Sequence, residues 1–297
     1  MKNKVSLILS GGGARGIAHI GVIEELERQG FEIHSIAGTS MGALVGGVYS
    51  LGKMNEFKQW LMTLDKVKIF SLLDFTLSNQ GIVKGNKVLK KMREFIPDAN
   101  IEDLDIAYAA VAADLINKKE VVFTSGSVFK AIRASIAIPT VFTPVKTKSG
   151  LLVDGGVLNN VPVSHAKRIP GDLLVVVNIN ANVPVCRPPI PEEEKKFRQL
   201  IYQKKLNDFY SQLERINPLN KKDNIGYFNL INKTISLMIY RMSEVLLQQY
   251  KPDITIEFSK DLCGIFDFFK VKELVETGRY TTMKRLDEFQ TKIEHLI

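Results

Sequence analysis

Cysteine is almost missing from this chain: Cys186 and Cys263 are the only two in 297 residues. They stand in unrelated contexts, which argues against a disulfide framework and against a thiolate metal spacing, and so few thiols suit a reducing compartment. Histidine is scarce as well, and the four present are scattered. No Cys/His cluster therefore suggests a metal, and no other cofactor is expected. Acidic side chains are in deficit, 32 against 40 Lys and Arg, for a net charge of +8. No recognised nucleic-acid motif accompanies that excess, so nucleic acid is not an expected partner. Internal repeats and low-complexity tracts are absent. Ile33 to Gly52 is uncharged over twenty residues, but its five glycines and several hydroxyls read as a buried strand, turn and core helix rather than a membrane span. Lys2 and Lys4 precede an apolar run too short for a signal peptide, and Arg15 follows soon after. The expectation is a cytoplasmic protein, at most peripheral to a membrane, with no signal peptide or transmembrane span.

Small residues are present, and they are placed. Gly38-Thr39-Ser40-Met41-Gly42 follows the apolar stretch Ile33 to Ala37, so a G-x-S-x-G pattern sits where a strand ends and a helix begins. Such a turn lifts the serine hydroxyl out of the backbone and aims it at a cleft, and the flanking glycines leave the room it needs. The apolar segment Ala43 to Tyr49 reads as a buried helix whose positive end points at Ser40.

A second glycine cluster, Ser10-Gly11-Gly12-Gly13-Ala14-Arg15-Gly16, follows the strand candidate Val5 to Leu9 and leads into a helix from about 16 to 29. Consecutive glycines let backbone N–H groups converge on one point. A phosphate cradle and an oxyanion hole are the two readings of such a loop. No Gly-Lys-Ser/Thr follows, which argues against a P-loop. Gly11, Gly13 and Gly16 match dinucleotide spacing, but the second strand ends in Ser40, not in the acidic residue a ribose requires. A third element, Leu151-Leu152-Val153-Asp154-Gly155-Gly156, ends a short strand on an aspartate. Alone it is a common tight turn; beside the other two motifs it is a candidate site residue.

Taken together these blocks resemble the patatin-like phospholipase family. Two flanking pieces agree: Ala134-Ser135-Ile136-Ala137-Ile138-Pro139 leading to Phe142-Thr143-Pro144-Val145, and Asn159-Asn160-Val161-Pro162-Val163. The resemblance covers about residues 5 to 180. It implies a three-layer α/β fold, with a central mostly parallel sheet flanked by helices. It also implies a Ser–Asp dyad with Ser40 as nucleophile and Asp154 as base. The oxyanion hole would come from Gly11, Gly12 and Gly13 with Arg15. The implied substrate is a lipid acyl ester, a phospholipid or lysophospholipid. Thr140 departs from the family, which often has glycine after the proline. Acyl transfer on the same dyad, or a non-catalytic binding role, remain alternatives, and the oligomeric state is open.

A free aspartate, with a pKa of about 3.9, is a poor base for a hydroxyl, so the dyad needs burial and a strong oxyanion hole. A histidine base must be weighed. His19 stands among apolar neighbours on the first helix, His34 opens the strand leading to Ser40, and His295 is in the tail. His165 is the only serious rival, because Ser40, Asp154 and His165 have the chain order of a triad. One domain is expected over residues 1–297, with a helical insertion near 185–250 and a C-terminal strand and helix over 254–294. Tyr108 to Ala113, Val121 to Phe123 and Leu173 to Ile179 read as strands, and 128–135 as a helix. Pro184, Pro188, Pro189 and Pro191 mark a boundary before a charged helix near 192–215. Ile235 to Gln249 is amphipathic. From Lys53 to Arg93 nine Lys or Arg face Glu56, Asp65 and Asp74 among many apolar residues, including Trp60. This stretch is expected to be helical to about 95. It reads either as an insertion packed on the core or as a contact for anionic membrane.

Overall fold

The computed structural model describes residues 3–72, 74–78, 81–189 and 227–294. The expected charged helix near 192–215, the boundary residue Pro191 and His295 lie outside the described residues. Lys4–Leu9 forms β1, a single 3-10 turn covers Gly13–Ile17, and Ala18–Arg28 forms α1. Glu32–Thr39 is β2 and Met41–Ser50 is α2. Met54–Met62 is α3 and Lys66–Leu72 is α4. Two short strands follow, β3 (Phe75–Ser78) and β4 (Gly81–Val83), and then α5 (Asn86–Met92). Next come β5 (Ala107–Asp114), β6 (Lys119–Phe123), α6 (Val128–Ser135), β7 (Thr140–Phe142), β8 (Val145–Lys146) and β9 (Leu151–Asp154). β10 (Leu173–Ala181), α7 (Tyr227–Tyr250), β11 (Ile254–Ser259) and α8 (Val271–Glu294) complete the described chain. None of these helices is long and apolar enough to cross a membrane.

The fold is mixed α/β around one eight-stranded sheet. Neighbours β11, β10, β1, β2 and β5 pair in parallel, and β6, β9 and β8 add antiparallel pairs at one side. β10 is almost wholly apolar because both faces of a parallel sheet are covered. Alternation along β1 divides the core. Leu7 and Leu9 join α1, α2, α6 and α8 on one face, while Ile8 joins Val161, Val163 and Leu247 of α7 on the other.

Register on β5 brings the two motif strands together. β2 runs along β5 as far as Thr39 opposite Val111. Ala110 and Val111 pair at the same time with Phe123 and Val122, so β6 holds the other edge. β9 pairs with Ala112 to Asp114, residues that β6 also pairs, and so occupies the edge where β2 has left it. β2 and β9 therefore meet head to head. Asp154 stands opposite Ala112, the next row after Thr39 and Val111.

The stretch to residue 95 is not continuously helical as expected. β3 and β4 interrupt it and pair with β7 in a second, three-stranded sheet. The cause is readable in Phe75-Thr76-Leu77-Ser78, which alternates apolar and polar residues at the strand period.

Candidate active site

Ser40 links β2 to α2 with φ 55 and ψ −122, a conformation few side-chain-bearing residues adopt. Its backbone N–H donates to Ser135 Oγ at 2.8 Å, and that hydroxyl donates to Val111 O at 2.6 Å. Thr39 Oγ1 donates to Asn159 O at 2.8 Å. The flanking glycines are there for close approach. A Cβ on Gly42 would lie 2.1 Å from Leu9 O, and one on Gly38 would lie 2.5 Å from the Gly42 carbonyl carbon.

Asp154 caps a 3-10 turn by accepting from Gly156 N–H at 2.8 Å. Its carboxyl lines the same cleft as Ser40, whose side chain lowers its pKa. Burial pushes its pKa up to about 6, against the downward pull of the Ser40 side chain and of the Gly156 N–H. Both residues are nearly inaccessible, Ser40 at 5% and Asp154 at 6% exposure. The carboxyl is thus desolvated, which strengthens it as a base.

The glycine loop wraps the same point. A Cβ on Gly11 would lie 2.9 Å from that of Ser40. Gly11 N–H already donates to Asn160 O at 3.3 Å, and Ala14 N–H donates to Ile265 O at 3.0 Å. Among the described residues the N–H groups of Gly12 and Gly13 have no partner. Gly11 O accepts from the side-chain amides of Asn160 and Asn180. Arg15 lines the cleft with the three glycines, and each of its three guanidinium nitrogens donates to protein. It donates to Ile179 O at 3.1 Å, Asn180 Oδ1 at 2.8 Å and Cys263 O at 3.2 Å. His19 braces the loop from behind, with Nε2 2.9 Å from Ser10 O, and burial pushes its pKa down to about 4.

His165 is not brought to Ser40. Its Nε2 lies 2.8 Å from Glu120 Oε2, and it lines a cavity of about 610 Å³ shared with His34, Lys4 and Ala107, at the opposite ends of the strands. Ser135, Asn160 and Asn180 are supports that sequence reasoning missed as such. Ser135 and Asn160 stood inside quoted motif blocks, and polar Asn180 closing an apolar strand was the remaining signal.

Ser40 separates two cavities. One, of about 130 Å³, is lined almost entirely by apolar side chains, among them Leu44, Trp60, Leu64, Ile69, Val88 and Phe142. The other, of about 320 Å³, contains the glycine loop, Asp154, Asn160 and Asn180, with Ile235, Ile239 and Tyr240 of α7 also lining it. An apolar chain suits the first, and a carbonyl with a polar leaving group suits the second.

Comparison with known proteins agrees with the motif blocks. The family model described as Patatin-like phospholipase matches residues 7–167. An NTE family protein of Mycobacterium tuberculosis is 32% identical over 332 residues, covering 97% of this chain and 92% of its own. The protein named Lysophospholipase NTE1 of Kluyveromyces lactis is 29% identical, and the match covers 98% of this chain but 20% of the longer yeast protein. Among solved structures, VipD from Legionella pneumophila matches with a TM-score of 0.47 at 14% identity, over 97% of this chain and 67% of its own.

Proposed function

The chain belongs to the patatin-like phospholipase family, and from that membership we propose that it hydrolyses acyl esters of phospholipids or lysophospholipids through an acyl-enzyme on Ser40. The acyl chain lies in the apolar cavity and the leaving group in the polar cleft. Ser40 Oγ attacks the acyl carbonyl as its proton passes to Asp154, and a C–O bond forms. The carbonyl oxygen becomes an oxyanion and accepts from Gly12 and Gly13 N–H. One such donor contributes on the order of a hundredfold to a thousandfold in rate. Arg15 and Asn180 position these donors by anchoring Gly11. The tetrahedral adduct collapses, and the departing alcohol takes the proton back from Asp154. Water then repeats the sequence on the acyl-enzyme, with Asp154 again accepting the proton, and the fatty acid leaves.

The observation that carries this reading is a buried carboxyl, raised to about 6, in the same cleft as Ser40 at its strand-to-helix turn. A carboxyl with that pKa is ionised at neutral pH and still basic enough to share the proton of a hydroxyl. The test is to incubate the purified protein with lysophospholipid or a mixed lipid extract and identify released fatty acid. Ser40→Ala and Asp154→Asn should each lower release by at least about a thousandfold, and the double variant should be little worse, because members of one catalytic unit fail together. Near-full activity of Asp154→Asn would overturn the dyad.

A further inference from the structure

In the basic stretch from Lys53 to Arg93, Met62, Val67 and Phe70 are exposed, but Trp60 is not offered as a membrane contact. Phe57 and Leu61 are buried, and Trp60 packs between Phe57 and Phe95 with ring centroids 5.9 and 5.6 Å away. Lys53, Lys58 and Lys91 are paired with Glu56, Glu24 and Glu94. A second part of the surface also combines positive charge with exposed aliphatic side chains, and it lies at the Ser40 end of the sheet. β5 continues past the Ala112–Asp154 row to the tip of the β5–β6 hairpin, where Leu115 is 50% and Ile116 64% exposed. Three residues of strand carry that tip roughly 10 Å beyond the row of Asp154, on the same end of the sheet.

The tip is fixed, so these side chains are not exposed by looseness. Leu115 N–H donates to Leu151 O at 3.0 Å, and Asp114 Oδ1 accepts from Ile116 and Leu151 N–H at 2.9 and 3.2 Å. Asn117 Nδ2 ties Asp114 Oδ2 to Ser149 O, at 2.8 and 2.9 Å, and so joins the β5–β6 tip to the β8–β9 tip. Lys118 and Lys119 on the first hairpin, and Lys146 and Lys148 on the second, are all exposed. Among the described residues none of the four has an ion-pair partner. The carboxylate between the two tips, Asp114, is turned inward and buried.

We propose that these joined hairpin tips dock the protein on an anionic lipid surface, with Leu115 and Ile116 entering the headgroup boundary and the four lysines lying against lipid phosphates. The proposal rests on the lipid-ester reading above, which requires the Ser40 end of the sheet to meet a bilayer. Aliphatic side chains add buried area, and the lysines add attraction that salt screens.

The experiment is sedimentation with vesicles of phosphatidylcholine alone or mixed with phosphatidylglycerol. It uses the full chain carrying Ser40→Ala, so that association is read without turnover. The expected result is preference for the anionic vesicles. Lys118→Gln with Lys146→Gln and Lys148→Gln should weaken it by about fivefold per lysine, the equivalent of about 1 kcal/mol each. Leu115→Ser with Ile116→Ser, made separately, should weaken it on both vesicle types, and neither variant should shift the thermal midpoint. Wild-type-like binding by both variants would overturn the proposal. So would a lack of preference for anionic lipid, loss confined to a Val67→Ser, Phe70→Ser variant of α4, or binding to duplex DNA without binding to vesicles. Vesicle binding without any ester hydrolysis by the wild-type chain would leave docking standing and refute the hydrolase reading instead.

Discussion

Asp154 concentrates the cost and the use of this site in one residue. Its folded pKa of about 6 lies above the value near 3.9 of an unfolded chain. The carboxylate form is required as base, so kcat/KM for a soluble ester should rise with pH through about 6 and level off above it. A flat profile from pH 5 to 8 would contradict Asp154 as the base. The same shift bears on stability. A carboxyl whose pKa is raised by folding contributes stability below about pH 4, and that contribution is lost as pH rises through about 6. Asp154→Asn has no such loss. It should therefore gain stability relative to wild type at pH 8, by an amount on the order of 2–3 kcal/mol, and gain little at pH 4. Paired thermal melts across that range would show it, and a gap that does not widen with pH would refute it. Thr140 is a second strained residue, with φ 69. A β-branched side chain is a marked outlier there, and glycine is not. Thr140→Gly should stabilise the fold by roughly 1 kcal/mol, read by denaturant titration; a loss of stability would show that Thr140 makes contacts worth more than the strain.

Among the elements, α3, α4 and α5 decide what enters the apolar cavity. Their sequence pattern shows amphipathic segments, and both readings of them, packed insertion or membrane contact, are compatible with that pattern. The structure turns Trp60, Leu64 and Val88 toward the cavity beside Ser40. Periodicity tells that a helix has an apolar face but not which surface that face meets. Trp60→Ala removes a large side chain from the lining. It should raise the ratio of long-chain to short-chain ester hydrolysis by about fivefold or more, since each added methylene placed in an apolar site is worth up to about 0.8 kcal/mol. An unchanged ratio across a series of p-nitrophenyl esters would place the acyl chain elsewhere.

For the molecule as a whole, the family match ends at residue 167, yet the sheet and its cover do not. β10, β11 and α8 come later in the chain and contribute Val175, Ile254, Ile256 and Leu274 to the main core. α8 lies directly on α1. A Cβ on Gly278 would fall 2.2 Å from Ala18 O, and one on Gly21 would fall 2.0 Å from Val275 O. Two effects oppose each other at Gly278. Alanine favours a helix interior by about 1 kcal/mol, but here its methyl meets backbone that cannot step aside. Overpacking of this kind costs typically about 1–3 kcal/mol, and more where backbone is the obstacle. Gly278→Ala should therefore destabilise, and a denaturation midpoint at or above that of wild type would show that the two helices can part at little cost.

The G-x-S-x-G turn, the glycine loop and Asp154 were legible in the chain itself, because each depends on a few consecutive residues. A tight elbow requires small neighbours wherever it occurs, and a run of glycines next to a strand advertises itself. The order of strands and helices was legible for the same reason, except where β3 and β4 were hidden in a stretch dominated by helical signals and where β7 and β8 are too short to show a period. Only the tertiary structure decided that Ser40 and Asp154, 114 positions apart, would line one cleft. That meeting depends on β2 and β9 ending head to head along one edge of β5, and register between distant strands is not written in either strand alone. The same holds for Ser135, Asn160 and Asn180, whose polar side chains are ordinary in sequence and become supports only through partners from other segments. It holds for Trp60 and for Leu115 and Ile116, apolar alike, because whether such a side chain is buried or exposed is settled by what the assembled chain places against it.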